Sequence, residues 1–533
     1  VTTHQDIAGT PVPHARHRIA AAPDAAGGEH PSRRGGSSGI LRKIAAVSAA
    51  TALVATLGAC LTQEDELRVD LVATAPTSTV LGDQDASQTA LALSASLFAA
   101  ADGAVIATED TVDGLAPVAA DAGLPLLLGT DRAVADELGR LGTSTVVTAE
   151  GTDVSPLGED LTVMKIDPDA EDSADELPEI TADEHVPAIT LFVDPAQEGP
   201  AQTIARAEIG AAGGTVVEVP GGDPGLSSAS VEATRTAAGD DPSTGVLALG
   251  DTFGAAEDWA SSLQRTVTVP ELPGGGQTLF PGRRMIAAYG SPGIPSLGIL
   301  GEQDLEDSIT RAQGLADEYA GLTEEPVVPA FEIITTIASS EPGSDGDYST
   351  ERDPEMLREW VDAAGEAGVY VVLDLQPGTT DFLTQAKLYE DLLKEPHVGL
   401  ALDAEWRLKP GQKHLAQIGS VTAAEVNETA QWLADLTADN DLPPKVLILH
   451  QFSLSMITDR QDLDTSHPEL AITVHADGHG TPEDKLGTWN ALQRGLPEGV
   501  FMAWKNFYDE DTPTFDPEQT YEVEPRPWFV SYQ

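Results

Sequence analysis

Beyond residue 283 the chain repeats one unit with little variation: a short apolar run, a polar loop, then an amphipathic stretch. The apolar runs are Met285–Tyr289, Val327–Ile334, Tyr370–Leu375, Val398–Asp403, Val446–His450, Ala471–His475, Val500–Trp504 and Trp528–Ser531. Runs of this length between turn-forming residues read as strands. The stretches Leu305–Tyr319, Pro354–Ala367, Thr380–Leu393, Ala423–Ala438 and Thr481–Arg494 carry helical periodicity. Strands separated by helices pair in parallel, because a tight hairpin cannot join parallel neighbours. Eight such units over about 250 residues predict a (β/α)8 barrel, with a doubly wound open sheet as the alternative.

Side chains alternate across a strand, so the pattern also predicts what faces the barrel interior. In the fourth run Gly399, Ala401, Asp403 and Glu405 share one face, while Leu400, Leu402 and Trp406 share the other. Asp374 and Gln376 share a face, as do Thr473, His475 and Asp477. Barrel function gathers at the C-terminal strand ends, which here carry Glu332, Asp374, Asp403, Glu405, His450, Gln451, His475, Asp477 and Lys505. Asp403-Ala404-Glu405 is the sharpest motif. Two neighbouring acids raise one another's pKa, which keeps a proton available for a leaving group. The motif resembles the Asp-x-Glu that ends a strand in chitinase-like and muramidase-like barrel glycosidases. The resemblance implies Glu405 as proton donor, Asp403 tuning it, and Asp477, Asp374 or Glu332 as the opposing carboxylate. His450, Gln451, His475, Lys505, Tyr508 and Trp406 are the expected substrate contacts. Two other readings stay open: a barrel that only binds glycan, and a metal-dependent hydrolase built on His475 and Asp477. No cofactor is expected.

Between Leu61 and residue 269, short apolar runs again alternate with Ala-rich helical patterns, which predicts α/β structure around parallel sheet. Thr89-Ala90, Val105-Ile106-Ala107-Thr108, Asp113-Gly114-Leu115-Ala116 and Ala122 to Leu128 follow one another in an order that resembles a type 2 cell-wall-binding repeat. That resemblance implies attachment to cell-wall or capsular polysaccharide. Residues 188–264 have the same rhythm and read as a degenerate second copy. Gly221 to Gly225 lacks the spacing of a dinucleotide fingerprint. Residues 270–282, with Gly274-Gly275-Gly276, read as a linker to a barrel domain at 283–533.

Arg42 and Lys43 precede an apolar small-residue stretch that closes on Leu57-Gly58-Ala59-Cys60, the layout of a secretory signal. Residues 1–60 therefore read as a leader. The closing tetrapeptide resembles the lipobox of bacterial lipoproteins, with Cys60 as the lipidated residue, and the composition resembles actinobacterial proteins. An uncleaved anchor or an ordinary buried cysteine are the competing readings. The expected location is outside the cytoplasm, held to the membrane by an N-terminal lipid. Cys60 is the single cysteine, so disulfides and Cys-ligated zinc are excluded. A net charge of −58 repels nucleic acid and anionic lipid, which removes both from the expected partners.

Overall fold

The computed structural model describes residues 66–82, 85–168, 170, 177–182 and 188–533. Cys60 and the apolar run before it lie outside these residues. No helix among the described residues is long and apolar enough to cross a membrane.

The first half holds two four-stranded parallel sheets. One runs in the order Leu126–Leu128, Gly103–Ala107, Thr145–Ala149, Thr162–Ile166. The other runs Thr215–Glu218, Thr190–Val193, Val246–Leu249, Thr79–Leu81. A third, three-stranded sheet sets Leu67–Leu71 between Phe98–Ala101 and Ile180–Ala182. Helices fall where the apolar pattern puts them, at Val112–Ala122, Arg132–Leu141 and Pro200–Ala211. Gly123 and Gly142 end the first two in left-handed conformation, where a side chain would be strained. Pro200–Ala211 packs against Ala86–Leu97 and Val112–Ala122, merging the apolar faces of the sheets into one core. Glu208 is buried in that core. Its Oε1 accepts a hydrogen bond from the Leu126 amide at 2.8 Å, and burial holds its carboxyl well above the usual range.

The second half is a closed barrel of eight parallel strands. These are β1 (Arg284–Gly290), β2 (Val327–Ala338), β3 (Tyr370–Leu375), β4 (Val398–Asp403), β5 (Lys445–Gln451), β6 (Leu470–Ala476), β7 (Phe501–Asn506) and β8 (Phe529–Tyr532). Each pairs with the next, and β8 closes on β1 through Met285 opposite Phe529. Closure removes the open-sheet alternative. Surrounding helices start on Asp304, Asp353, Thr422 and Thr481, whose side chains accept from first-turn amides, as N-caps do. The helix expected over Thr380–Leu393 is instead broken into Phe382–Ala386 and Glu390–Leu393 by a tighter turn at Lys387–Tyr389.

Alternation divides the strands as expected. Ile286, Phe331, Leu373, Leu400, Leu449 and Val474 face the helices. Met285, Val328, Tyr370, Val446, Ala471 and Phe529 face inward and form an apolar floor. The segment read as a linker is part of that floor: Leu272, Leu279 and Phe280 are buried against it. Arg283 fastens the segment by donating to the carbonyls of Thr278, Pro273 and Gly275, and burial lowers its guanidinium to about 10. Glycine here serves close packing, since Gly276 approaches the Leu226 backbone too tightly for a Cβ.

Candidate active site at the barrel mouth

Above the floor, every strand supplies one polar side chain to the interior. In order around the barrel these are Tyr289, Glu332, Asp374, Asp403, His450, His475, Lys505 and Ser531. All eight residues are buried, and their mutual distances make one network. His450 is its centre. Its Nε2 lies 2.8 Å from Glu332 Oε1 and its Nδ1 lies 2.9 Å from Asp477 Oδ2. Lys505 Nζ stands 3.2 Å from Asp477 Oδ1 and 3.6 Å from the centre of the Tyr289 ring. The Tyr289 hydroxyl donates to Asp374 Oδ2 at 3.0 Å, and Ser531 Oγ pairs with His475 Nε2 at 3.1 Å.

Charge and burial sort the acids into two sets. Burial alone would raise Asp477, but Lys505 and His450 outweigh it and hold its carboxylate ionised, well below the ordinary value. Burial likewise opposes ionisation of Glu332, and His475 and His450 again win. The other set is shifted toward the protonated form. Burial, reinforced by Asp374, Asp477 and Glu405, lifts Asp403 well above the usual range. Burial and Glu332 push Asp374 up to about 6. Burial and the charge of Asp477 raise Glu405. His450, although burial disfavours its charge, is held protonated by Glu332, Asp374 and its bond to Asp477. Burial lowers His475, against the pull of Glu332.

A cleft of about 460 Å³ opens over this network, lined by Tyr289, Gln376, Asp403, Glu405, Trp406, Asp477, His479, Lys505 and Phe507 among others. Asp403, Glu405 and Asp477 therefore share one space, with Lys505 and Trp406 beside them. Glu332, Asp374, His450 and His475 are buried beneath the residues that line the cleft. Gln451 has the parity of Leu447 and Leu449, points away from the interior, and donates to the Ser453 carbonyl at 3.3 Å. Tyr508 is exposed and stacks on Tyr532, away from the cleft.

The strand-face argument for Glu405 also needs correction. β4 ends at Asp403, and residues 404–406 form a tight helical turn capped by Asp403, whose Oδ1 accepts from the Glu405 amide at 3.2 Å. The turn, not strand alternation, brings both Glu405 and Trp406 to the cleft. Tyr289 and Ser531 were not anticipated, although the inward parity of Met285, Ala287 and Tyr289 carried the signal for the first. Within this network two groups could offer three ligand atoms within 4.8 Å of one another, Asp403–His450–Asp477 and Glu332–His450–His475.

No protein-family model matches the sequence, and no curated protein matches it. Among solved structures the chain is similar to Cwp6 from Clostridium difficile, at 13% identity and a TM-score of 0.27. The match covers 51% of this chain and 64% of that one, so the chain spans less than two thirds of that protein.

Proposed function

We propose that the barrel hydrolyses glycosidic bonds of an envelope glycan, within an exported, lipid-anchored protein whose first half holds cell-wall or capsular polysaccharide. One observation carries the enzymatic reading: in a single open cleft, Glu405 and Asp403 are pushed toward the protonated form while Asp477 is held ionised. Divergent pKa values in neighbouring carboxyls define acid and base assignments. Glu405, the more accessible of the two raised acids, donates its proton to the leaving oxygen. Asp403, deeper in the wall, keeps Glu405 in position through its amide. Asp477 faces the developing positive charge as a carboxylate, and its grip by His450 and Lys505 keeps it there. Reducing-end release from a panel of wall polysaccharides, by wild type and Glu405→Gln, tests this. A wild type that binds a glycan and releases no product leaves a binding barrel instead.

A second reading rests on different atoms. Glu332 Oε2, Asp374 Oδ1 and His475 Nδ1 are buried without hydrogen-bond partners, beside a potential ligand trio. A divalent ion there would supply Lewis-acid chemistry. Hydrolysis that survives Glu405→Gln and stops with chelator would select this reading.

A further inference from the structure

The cleft does not end at Glu405. A second cavity of about 270 Å³ shares Glu405 and Trp406 with it and is otherwise walled by the loop that follows, including His414, Leu415 and Ile418. A bond placed at the Glu405 carboxyl therefore has room on both sides.

The loop is built as a wall. Its neck is pinned where the Gly419 amide donates to the Glu405 carbonyl at 2.7 Å and the Ser420 amide to that of Arg407 at 3.0 Å. Gly419 approaches the Glu405 and Ala404 carbonyls too closely for any Cβ. Arg407 is clamped by Glu425 at 2.6 Å. Farther out, His414 Nε2 bonds the Tyr348 carbonyl at 2.9 Å, and its ring meets Trp406 edge-on at 5.2 Å. From this fixed base the loop turns apolar side chains outward: Leu415 is 88% exposed, at a left-handed φ of 62°, and Ile418 is 49% exposed. A leucine both strained and bare gains nothing inside the chain, but sugar rings present apolar faces that such side chains and Trp406 can cover.

Resting on the glycosidase reading, we propose that the mouth binds a running glycan chain, with the Trp406–Ile418 cavity taking the sugars beyond the scissile bond. Cleavage is then internal to the polymer rather than confined to chain ends. The net charge of −58 disfavours polyanions, so the chain is composed of uncharged or amine-bearing sugars.

The test uses full-length Glu405→Gln protein and two oligosaccharide ladders, β-1,4-linked N-acetylglucosamine and β-1,4-linked glucose, each from dimer to hexamer. Calorimetry should show affinity for one ladder rising at least tenfold from dimer to hexamer. Adding Leu415→Asp and Ile418→Asp should abolish that gain, with the circular dichroism spectrum and melting temperature unchanged. Equal affinity for dimer and hexamer, or a gain that survives the double substitution, overturns the extended site while leaving the glycan reading intact. No binding of either ladder overturns both. Early products of the bound hexamer with wild type should be mixed internal fragments, and stepwise release of single end sugars would overturn internal cleavage.

Discussion

The floor and the mouth of this barrel are made by the same strands, with the same alternation, a few residues apart. At the floor the inward side chains are Met285, Val328, Tyr370, Val446 and Phe529, and segment 270–282 seals them from water. At the mouth the inward set is Tyr289, Glu332, Asp374, Asp403, His450, His475, Lys505 and Ser531, with Asp477 and Glu405 just beyond. The first layer gains free energy by leaving water. The second loses it, because each buried charge must be compensated by partners. The comparison teaches that fold stability and chemistry are separated along the barrel axis, so substitutions in one layer should leave the other's readout alone.

The largest expected effect is at the mouth. Glu405→Gln should lower glycan hydrolysis by about 10²–10⁴ with little change in melting temperature, measured as reducing ends released per folded molecule. Equal loss of stability and activity would break the separation. At the floor, Phe280→Ala should cost about 3–5 kcal/mol of unfolding free energy in denaturant titration, while the activity of the remaining folded protein persists.

A subtler test is pH. An aspartate with a folded pKa near 6, against 3.8 for a free side chain, binds more protons folded than unfolded between those values. Stability should therefore fall as pH rises from about 4 to about 6 and be insensitive to this group above that. Asp374→Asn should flatten the slope, as read from melting temperatures across the window. The smallest effect belongs to Lys505→Met. Without the cation 3.2 Å away, Asp477 loses part of what holds it ionised. The acid limb of the activity profile should move to higher pH, with the alkaline limb, set by Glu405, moving less.

Much of the barrel was legible because its code is local. All eight strand runs and most helices follow from periodicity, and inward parity placed Asp374, Asp403 and His475 correctly. Parity misleads where a strand stops. It put Glu405 on the right side for the wrong reason and Trp406 on the wrong side, since a three-residue turn begins at Ala404. Gln451 sits on a strand end like the true site residues, and only its outward parity with Leu449 distinguishes it. The His450 network was invisible because its members are far apart in sequence and meet only on closure. In the first half, Thr79–Leu81 is three residues long and pairs with Val246–Leu249. No local pattern announces such a partner.

The Gly-rich segment has a practical meaning for anyone who would work with one half of this protein. It donates Leu279 and Phe280 to the barrel, yet the Gln277 amide also bonds the Gly225 carbonyl at 2.6 Å and its side chain reaches the carbonyls of Thr266 and Val269. A barrel expressed from Arg283 would start uncorked, its lower opening wet and prone to aggregation. One begun near Pro270 would carry its own stopper, at the expense of taking from the carbonyls of Gly225 and Thr266 the donors that Gln277 supplies.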